Sequence, residues 1–219
     1  MQTFKTSKGR ENILSKIRKG LSESSLPMPF PEAEKESGIY AGSELPNDEL
    51  FAENFIKLGG KFVFCSNEQE LLETIETLYQ SREWSNMLCA EENITKLLQN
   101  NHMNIAGSAE ATPENAEACI TGCECLVART GSVILSSRQH MGRTSSVFYP
   151  VHIIVAYADQ VVTDIQNGLD LLKKKYGNEL PSMINLNTGP SRTADIEKTL
   201  VVGVHGPGEV FCFYVNAGR

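Results

Sequence analysis

The stretch that decides the fold is Val151-His152-Ile153-Ile154-Val155-Ala156. Its residues do not alternate in polarity, and Phe62-Val63-Phe64-Cys65 has the same character. A strand that is exposed on one face alternates between apolar and polar residues, whereas a strand of a parallel sheet is covered on both faces and reads as one apolar run. The two runs therefore predict a largely parallel sheet with helices on both faces.

Outward from these runs, helical patterns and short apolar runs alternate from Asp48 onward, which is typical of an α/β fold. The predicted helices cover residues 48–58, 67–80, 91–100 and 164–176. The predicted strands cover residues 61–65, 87–90, 132–135, 151–156, 183–186, 200–204 and 210–215. Only His205-Gly206-Pro207-Gly208-Glu209 separates the last two strands, which predicts that they form an antiparallel pair.

The first part of the chain has a different character. Between Arg10 and Leu21, apolar residues at helical spacing predict an amphipathic helix with a basic outer face. Residues 22–48 contain four prolines and two glycines and cannot form regular structure for long. We therefore expect an arm over residues 1–47, which we predict to bind partner proteins, and an α/β domain over residues 48–219.

The overall charge and hydropathy exclude several classes of protein. The chain has 20 Lys and Arg against 27 Asp and Glu, a net charge of −7, which argues against binding to nucleic acid or to an anionic membrane. Met1 to Arg10 lacks the apolar core of a signal peptide, and no apolar run approaches the roughly 18 residues of a membrane span. We expect a cytoplasmic protein whose thiols stay reduced.

Cysteine spacing does not predict a metal site. Cys119, Cys123 and Cys125 invite a zinc or iron–sulfur interpretation but lack the paired C-x-x-C spacing of common sites. Cysteines on strands are usually small buried apolar residues. Cys123 is the best placed for a nucleophile, although no base is identifiable beside it. The phosphate-loop, nucleophile-elbow and zinc-protease motifs are missing, so the sequence nominates neither ATP, NAD nor a flavin.

Basic residues cluster in one part of this acidic chain. Residues 120–155 carry Arg129, Arg138 and Arg143 but the single acid Glu124. Residues 136–146 hold five hydroxyls and two of these arginines between two predicted strands. Arginines, hydroxyls and free amides bind carboxylates and phosphates, and ligands of open α/β sheets collect at strand ends. The segment predicts a small anionic ligand; a solvated basic loop is the alternative.

A second candidate segment, Thr188 to Glu197, follows a predicted strand and is predicted to open a short helix. Ser191 or Thr193 could cap that helix, and capping alone would explain the small and hydroxylated residues. Capping does not explain Arg192, because a cation opposes the dipole at a helix N-terminus. Arg192 therefore points to an anionic ligand or to a structural carboxylate.

A third candidate segment is Gly203-Val204-His205-Gly206-Pro207-Gly208-Glu209. Its glycines allow the backbone to approach a ligand closely, and His205 and Glu209 could form an acid/base pair across the turn. A tight turn needs its glycines in any case, which is the alternative explanation.

In this order, these segments resemble the lactate-utilisation protein C family, also called the LutC/YkgG or LUD-domain family. The matching strings are Ile120-Thr121-Gly122 with Glu124, Thr130-Gly131-Ser132, Pro150-Val151-His152, Gly189 to Glu197, and Gly203 to Glu209. Arg10 to Arg18 also resembles the opening helix of the family, so the resemblance covers nearly the whole chain. Where the family often has Glu before Thr130, this chain has Arg129, which makes that position more basic.

The resemblance implies a three-layer α/β/α fold of the NagB/RpiA/CoA-transferase-like type. It also implies a subunit of an oxidoreductase complex that converts L-lactate to pyruvate, with no cofactor in this chain and with iron–sulfur and cysteine-rich partner proteins. Two alternatives stay open: a non-catalytic scaffold or regulatory subunit for those partners, and a CoA-transferase-like or ligase-like acyl-transfer enzyme with Glu124 as the nucleophile.

Together these expectations place one pocket for a small carboxylate, lactate or pyruvate, at the strand ends. Arg143 and Arg192 would bind the anion. His205 would move a proton, with Glu209 or Glu124 orienting it. The other expected ligand-binding residues are small or hydroxylated: Thr130, Gly131, Gly189, Pro190, Ser191, Thr193, Gly206 and Gly208.

Overall fold

The computed structural model describes residues 8–22, 43–89, 91–98, 103, 105–106, 116–139, 145–193 and 201–217. The chain divides into two compact units, Met1–Gly42 and Ser43–Arg219. In the first unit, the predicted amphipathic helix is present as α1 (Lys8–Ser22), on which Ile13 and Ile17 are exposed. The domain boundary that we predict between residues 47 and 48 stays a prediction. Within the described ranges, no helix is long and apolar enough to cross a membrane.

The second unit alternates helices with strands. The helices are α2 (Asn47–Lys57), α3 (Glu68–Ser81), α4 (Glu92–Leu98), α5 (Ser145–Phe148) and α6 (Ile165–Tyr176), and a 3-10 turn covers Ala158–Gln160. The strands are β1 (Lys61–Cys65), β2 (Met87–Cys89), β3 (Ile105–Ala106), β4 (Ala118–Thr121), β5 (Cys125–Val127), β6 (Ser132–Ser136), β7 (Val151–Tyr157), β8 (Val161–Val162), β9 (Ile184–Asn187), β10 (Arg192–Thr193), β11 (Val201–Val202) and β12 (Glu209–Val215). The four helices predicted for this unit begin and end within one or two residues of the observed bounds.

The central sheet has six strands in the order β1-β12-β7-β4-β2-β3. All of its strand pairings are parallel. The predicted α/β class with a mostly parallel sheet is therefore confirmed. The run that predicted it, β7, lies inside the sheet between β12 and β4, where both of its faces are covered.

Alternate residues of β7 belong to two different cores. Ile153 and Val155 pack on the side of α3 and α4, with Leu71 among their neighbours. Ile154 and Ala156 pack on the other side, in a core that includes Phe55 of α2. Because side chains of a strand alternate between its faces, two buried faces require apolar residues at every position.

On the α2 side the parallel sheet is covered by more than helices. A second, four-stranded sheet has the order β8-β5-β6-β9, in which β6 pairs antiparallel with both β5 and β9. Leu126 and Val133 of this sheet join the core of α2, whereas Ile134 packs outward with Leu172 of α6. The predicted strands at 132–135 and 183–186 therefore belong to this second sheet, and α6 forms the layer outside it.

The predicted antiparallel pairing of the last two strands is wrong. β12 pairs in parallel with β1 and β7, whereas β11 pairs antiparallel with β10. The reason is burial: β12 is apolar on both faces, and all of its residues from Val210 to Val215 are buried. A place inside the sheet removes more apolar surface from water than an exposed hairpin would. Gly203, with φ of +81°, lies in the turn that separates the two strands.

Candidate functional site

A cavity of about 230 Å³ lies between two turns, Thr188–Ser191 and His205–Pro207. We call it the turn cavity. The rest of its described lining comes from α5 and β9, namely Ser146, Val147, Asn185, Leu186 and Asn187. The structure thus brings the second and third candidate segments of the sequence into contact, although they are separated along the chain by β10 and β11.

Backbone hydrogen bonds hold the two turns together. The amide of Ser191 donates to the carbonyl of Pro207 at 2.9 Å, and the amide of Gly203 donates to the carbonyl of Ser191 at 2.9 Å. The amide of Gly208 donates to the carbonyl of Pro150 at 2.9 Å. Because Pro150 and Gly208 directly precede β7 and β12, the turn cavity lies at the amino ends of the parallel strands.

One position of the first turn requires glycine. Gly189 has φ of +79°, and a Cβ atom there would lie 2.9 Å from the carbonyl oxygen of Leu58. Any other residue would combine backbone strain with a contact against rigid backbone. The turn is thereby packed closely on the C-terminal end of α2.

The turn cavity is lined by hydrogen-bonding groups without acidic residues. Asn185 Nδ2 donates to Ser146 Oγ at 3.1 Å. The backbone amides of Gly189 and Gly206 donate to no other described residue. Among the described lining residues, His205 is the titratable one and is exposed, and none is Asp or Glu. Such a lining can bind an anion through neutral donors.

Arg192, one of the two arginines expected to bind the anion, is not among the residues that line this cavity. Arg192 lies on β10, where it pairs with Val202, and the argument from the dipole of a following helix stays a prediction. Its guanidinium donates to the carbonyl oxygen of Leu58. Thr193, the other residue of β10, does not line the turn cavity either. Arg143 and residues 194–197 of the predicted helix lie outside the described residues.

Glu209 is held by cations instead of by His205. Arg82 donates to both of its carboxylate oxygens, at 3.0 and 2.7 Å, and Lys61 forms a second ion pair. The hydrogen bonds from Arg82, and then that from Lys61, outweigh partial burial and hold the pKa of Glu209 below its usual value. Glu209 therefore fastens the amino end of β12 to α3 and β1, and the expected His205–Glu209 pair is not formed.

The turn between β5 and β6, which holds Thr130 and Gly131, does not line the turn cavity. Gly131 has φ of +59°, and a Cβ atom there would lie 2.5 Å from the backbone nitrogen of Phe55, so α2 packs directly on this turn. The hydroxyl of Thr130 is buried and has no hydrogen-bond partner among the described residues. Neither residue lines the cavity. Their place against α2 gives Gly131 a packing role.

Arg129, the departure from the family pattern, has a structural partner. Its guanidinium donates to both carboxylate oxygens of Asp164, at 2.8 and 2.7 Å. Asp164 is the N-cap of α6, and the hydrogen bonds from Arg129 lower the pKa of its carboxyl group. Arg129 thus connects the β5–β6 turn to the beginning of α6.

Glu124 lines a second cavity, of about 200 Å³, beyond the carboxyl end of β4. We call it the carboxyl-edge cavity. The carboxylate of Glu124 is buried and accepts hydrogen bonds from Lys175 Nζ at 2.8 Å, Tyr176 Oη at 2.8 Å and Ser136 Oγ at 2.5 Å. Burial alone would raise the pKa of Glu124, but these hydrogen bonds, that from Lys175 first, outweigh burial and lower it. Glu124 and His205 line different cavities, so Glu124 does not orient His205.

The sequence patterns did not point to Lys175, Tyr176 or Glu91, all of which line the carboxyl-edge cavity. Lys175 and Glu124 are 51 residues apart, so no local spacing relates them. One signal was available: a carboxylate between two apolar strands must find a cation or several donors if it is buried. A search for the partner of Glu124 would have led to the basic end of α6.

The described cysteines are all buried. Burial raises the pKa of Cys125 to about 12 and that of Cys119 well above its usual value, which opposes formation of the thiolate. Cys123 borders the carboxyl-edge cavity but is only 5% exposed. Within the described ranges, no group of three or more His, Cys, Asp or Glu side chains could hold a metal ion.

Comparison with known proteins places the chain in a family. The sequence pattern that defines the LUD domain matches residues 49–215, most of the chain. The chain belongs to the LUD domain family. The family resemblance that the candidate segments showed is therefore confirmed.

Relatives of this LUD domain protein include proteins of two named kinds. "Lactate utilization protein C" of Bacillus velezensis is 38% identical over 105 residues, which are 47% of this chain and 44% of the relative. The protein of the same name from Bacillus subtilis is 38% identical over 96 residues, 40% of its length. The chain thus spans less than half the length of these two relatives. An uncharacterised protein of Neisseria meningitidis serogroup B is 28% identical over 92% of this chain and 91% of the relative.

A solved structure has the same fold as the LUD domain described above. The crystal structure of a DUF162 family protein from Deinococcus radiodurans covers 78% of this chain and 99% of its own, with a TM-score of 0.58. At 21% sequence identity the similarity concerns the fold alone. It agrees with the mostly parallel central sheet and its surrounding helices.

Proposed function

We propose that this LUD domain protein takes part in lactate utilisation and binds a small carboxylate, lactate or pyruvate, in the turn cavity. The names of the Bacillus relatives support the process. The observation that carries the ligand is the convergence of neutral donors and His205 on a cavity whose described lining holds no carboxylate. An acidic lining would repel such a ligand.

In this proposal the two turns hold the carboxylate of the ligand. The amides of Gly189 and Gly206, which donate to no other described residue, are free to donate to its oxygens. Each hydrogen bond to an ionised group contributes about 1.5–3 kcal/mol. The imidazole of His205 faces the hydroxyl of lactate and accepts its proton during oxidation.

Oxidation of lactate to pyruvate removes two electrons and two protons from the hydroxyl and C2. His205 accepts one proton, while the second proton and both electrons pass to an acceptor on a partner. We propose that partner proteins would hold this two-electron acceptor and that their iron–sulfur clusters, which take one electron at a time, would carry the electrons onward. Val147 and Leu186, which line the cavity, are 50% and 42% exposed, and such apolar residues at a mouth favour a partner that covers it.

Calorimetric titration tests the ligand. We expect lactate or pyruvate to bind the wild-type protein, and His205→Ala to weaken lactate binding roughly twofold to tenfold, as loss of one uncharged hydrogen bond of about 0.5–1.5 kcal/mol does. Val204→Ala is the matched control, because Val204 is the exposed neighbour of His205 and does not line the cavity. Failure of both acids to bind the wild type, or equal lactate binding by His205→Ala, would contradict the assignment.

Reconstitution of lactate oxidation tests whether this protein takes part in the reaction. Lactate oxidation is measured with separately purified partner proteins, with and without this chain. An unchanged rate without the chain would refute a part in oxidation. A full rate with His205→Ala would instead indicate that the chain acts as a scaffold or regulatory subunit for its partners.

A further inference from the structure

The carboxyl-edge cavity carries charged groups of both signs. Arg138 and Lys175 line it together with Glu91, and Gln139 and Cys123 supply neutral groups. It lies beyond the carboxyl ends of β2 and β4, where ligands of open parallel sheets bind. We propose that this cavity is a separate binding site for a small zwitterion, an α-amino acid.

The basic part of the cavity is built around one aromatic ring. Lys175 Nζ lies 5.2 Å and Arg138 Cζ lies 5.9 Å from the ring centroid of Tyr176. Each cation already pairs with a carboxylate, Lys175 with Glu124 at 2.8 Å and Arg138 with Glu179 at 3.4 Å, and a bound anion would contact both cations through their remaining donors. One Lys175 hydrogen bond goes to Glu124, so its ammonium keeps further donors for a ligand. This part of the cavity would bind the carboxylate of the amino acid.

Besides Glu124, two acidic residues line the cavity: Glu92, which pairs with Lys96 at 2.6 Å, and Glu91, which we assign to the ammonium. Its Oε1 accepts a hydrogen bond from the amide of Gly122 at 2.6 Å and another from Gln139 Nε2 at 3.2 Å. Its Oε2 accepts none from another described residue. A carboxylate oriented in this way, with one oxygen left for a ligand, can bind the ammonium of an amino acid.

A hydrogen-bonded network joins the two parts. Gln139, which donates to Glu91, accepts from the amide of Ser136 at 3.0 Å, and the hydroxyl of Ser136 donates to the buried carboxylate of Glu124. Glu124 in turn accepts from Lys175. The spacing between the acidic and basic parts is therefore set by the protein before a ligand binds, which favours molecules that carry both charges. This site does not depend on lactate binding in the turn cavity.

The ligand class is tested by screening the twenty amino acids against the purified chain by thermal shift and measuring the best ligand by calorimetry. We also measure the amine that lacks its carboxylate and the acid that lacks its ammonium. The amino acid should bind at least tenfold more tightly than either. Binding of none of the twenty, or equal binding of the acid and the amino acid, would overturn the proposal.

Variants locate the site. Arg138→Met and Glu91→Gln should each weaken amino-acid binding at least tenfold. Arg138 is half exposed, so its removal strands no buried charge, and Gln at 91 can still accept from Gly122. Lys174→Met, an exposed neighbour of Lys175 on α6, should bind like the wild type. Unchanged binding in both Arg138→Met and Glu91→Gln, or an equal loss in Lys174→Met, would refute the site.

The two proposals fail separately. His205→Ala should weaken binding of lactate and leave the amino acid unaffected, whereas Arg138→Met should do the reverse. Loss of amino-acid binding in His205→Ala with full binding in Arg138→Met would place the amino acid in the turn cavity and overturn this inference alone.

Discussion

Tyr176→Phe removes one of three hydrogen bonds to the buried carboxylate of Glu124 and leaves the aromatic ring in place. A hydrogen bond to an ionised group stabilises a fold by about 1.5–3 kcal/mol. For a domain of roughly 150–250 residues, 1 kcal/mol corresponds to about 2–4 °C in the melting temperature. We therefore expect Tyr176→Phe to lower the melting temperature at pH 7 by roughly 3–12 °C.

The assay is urea and thermal unfolding from pH 7 downward. The pKa of Glu124 is below its usual 4.5 in the folded protein, so its stabilisation is present above that pH and is lost as pH falls through the lowered pKa. Tyr176→Phe removes one of the hydrogen bonds that lower this pKa, so the folded and unfolded pKa values of Glu124 lie closer together. The variant should therefore lose less stability than the wild type as the pH falls below 4.5. Tyr79→Phe is the control, since that hydroxyl donates to the neutral carbonyl of Ser85 at an exposed site. Equal losses in both variants, with identical pH dependence, would refute the reasoning.

Two further predictions concern the core. Gly131→Ala should cost about 2–4 kcal/mol in urea unfolding, because it adds a contact with the backbone of Phe55 to the strain of a positive φ. A cost no larger than the roughly 1–2 kcal/mol of a positive φ alone would contradict the packing argument. Burial lowers the pKa of His152 from 6.5 to about 4, so stability should fall by roughly 3 kcal/mol between those pH values as the unfolded chain takes up the proton. His152→Leu should remove this loss, and an unchanged pH dependence would show that other groups cause it.

The fold class could be predicted because burial on two faces leaves a mark on a single strand. β7 reads as an apolar run and is buried on both faces, and helices such as α3 repeat apolar residues on one face. β1 also reads as an apolar run, but it is an edge strand on which Phe64 is 52% exposed, so the prediction of two covered faces is wrong for β1. Which strands pair with each other in the sheet leaves no such pattern in the sequence. The short connection before β12 favoured a hairpin, but burial of both faces between β1 and β7 decided its position.

For the candidate site, too, the local elements could be predicted from the sequence but their tertiary contacts could not. Glycine-containing turns are recognisable locally, and those at Gly189 and Gly206 do meet in one cavity. The direction of a long side chain depends on the tertiary neighbours instead. Arg192 binds a carbonyl of α2, and Glu124 finds Lys175 across 51 residues, and neither contact follows from local spacing.

The position of β12 has a consequence for the order of folding. It follows every other described strand along the chain, yet it lies between β1 and β7, which do not pair with each other. Until β12 has been synthesised and inserted, both neighbours present unpaired edges that can pair with other chains. The parallel sheet therefore cannot be completed during translation until residues 209–215 have emerged from the ribosome. The nascent chain is most prone to aggregation just before that point.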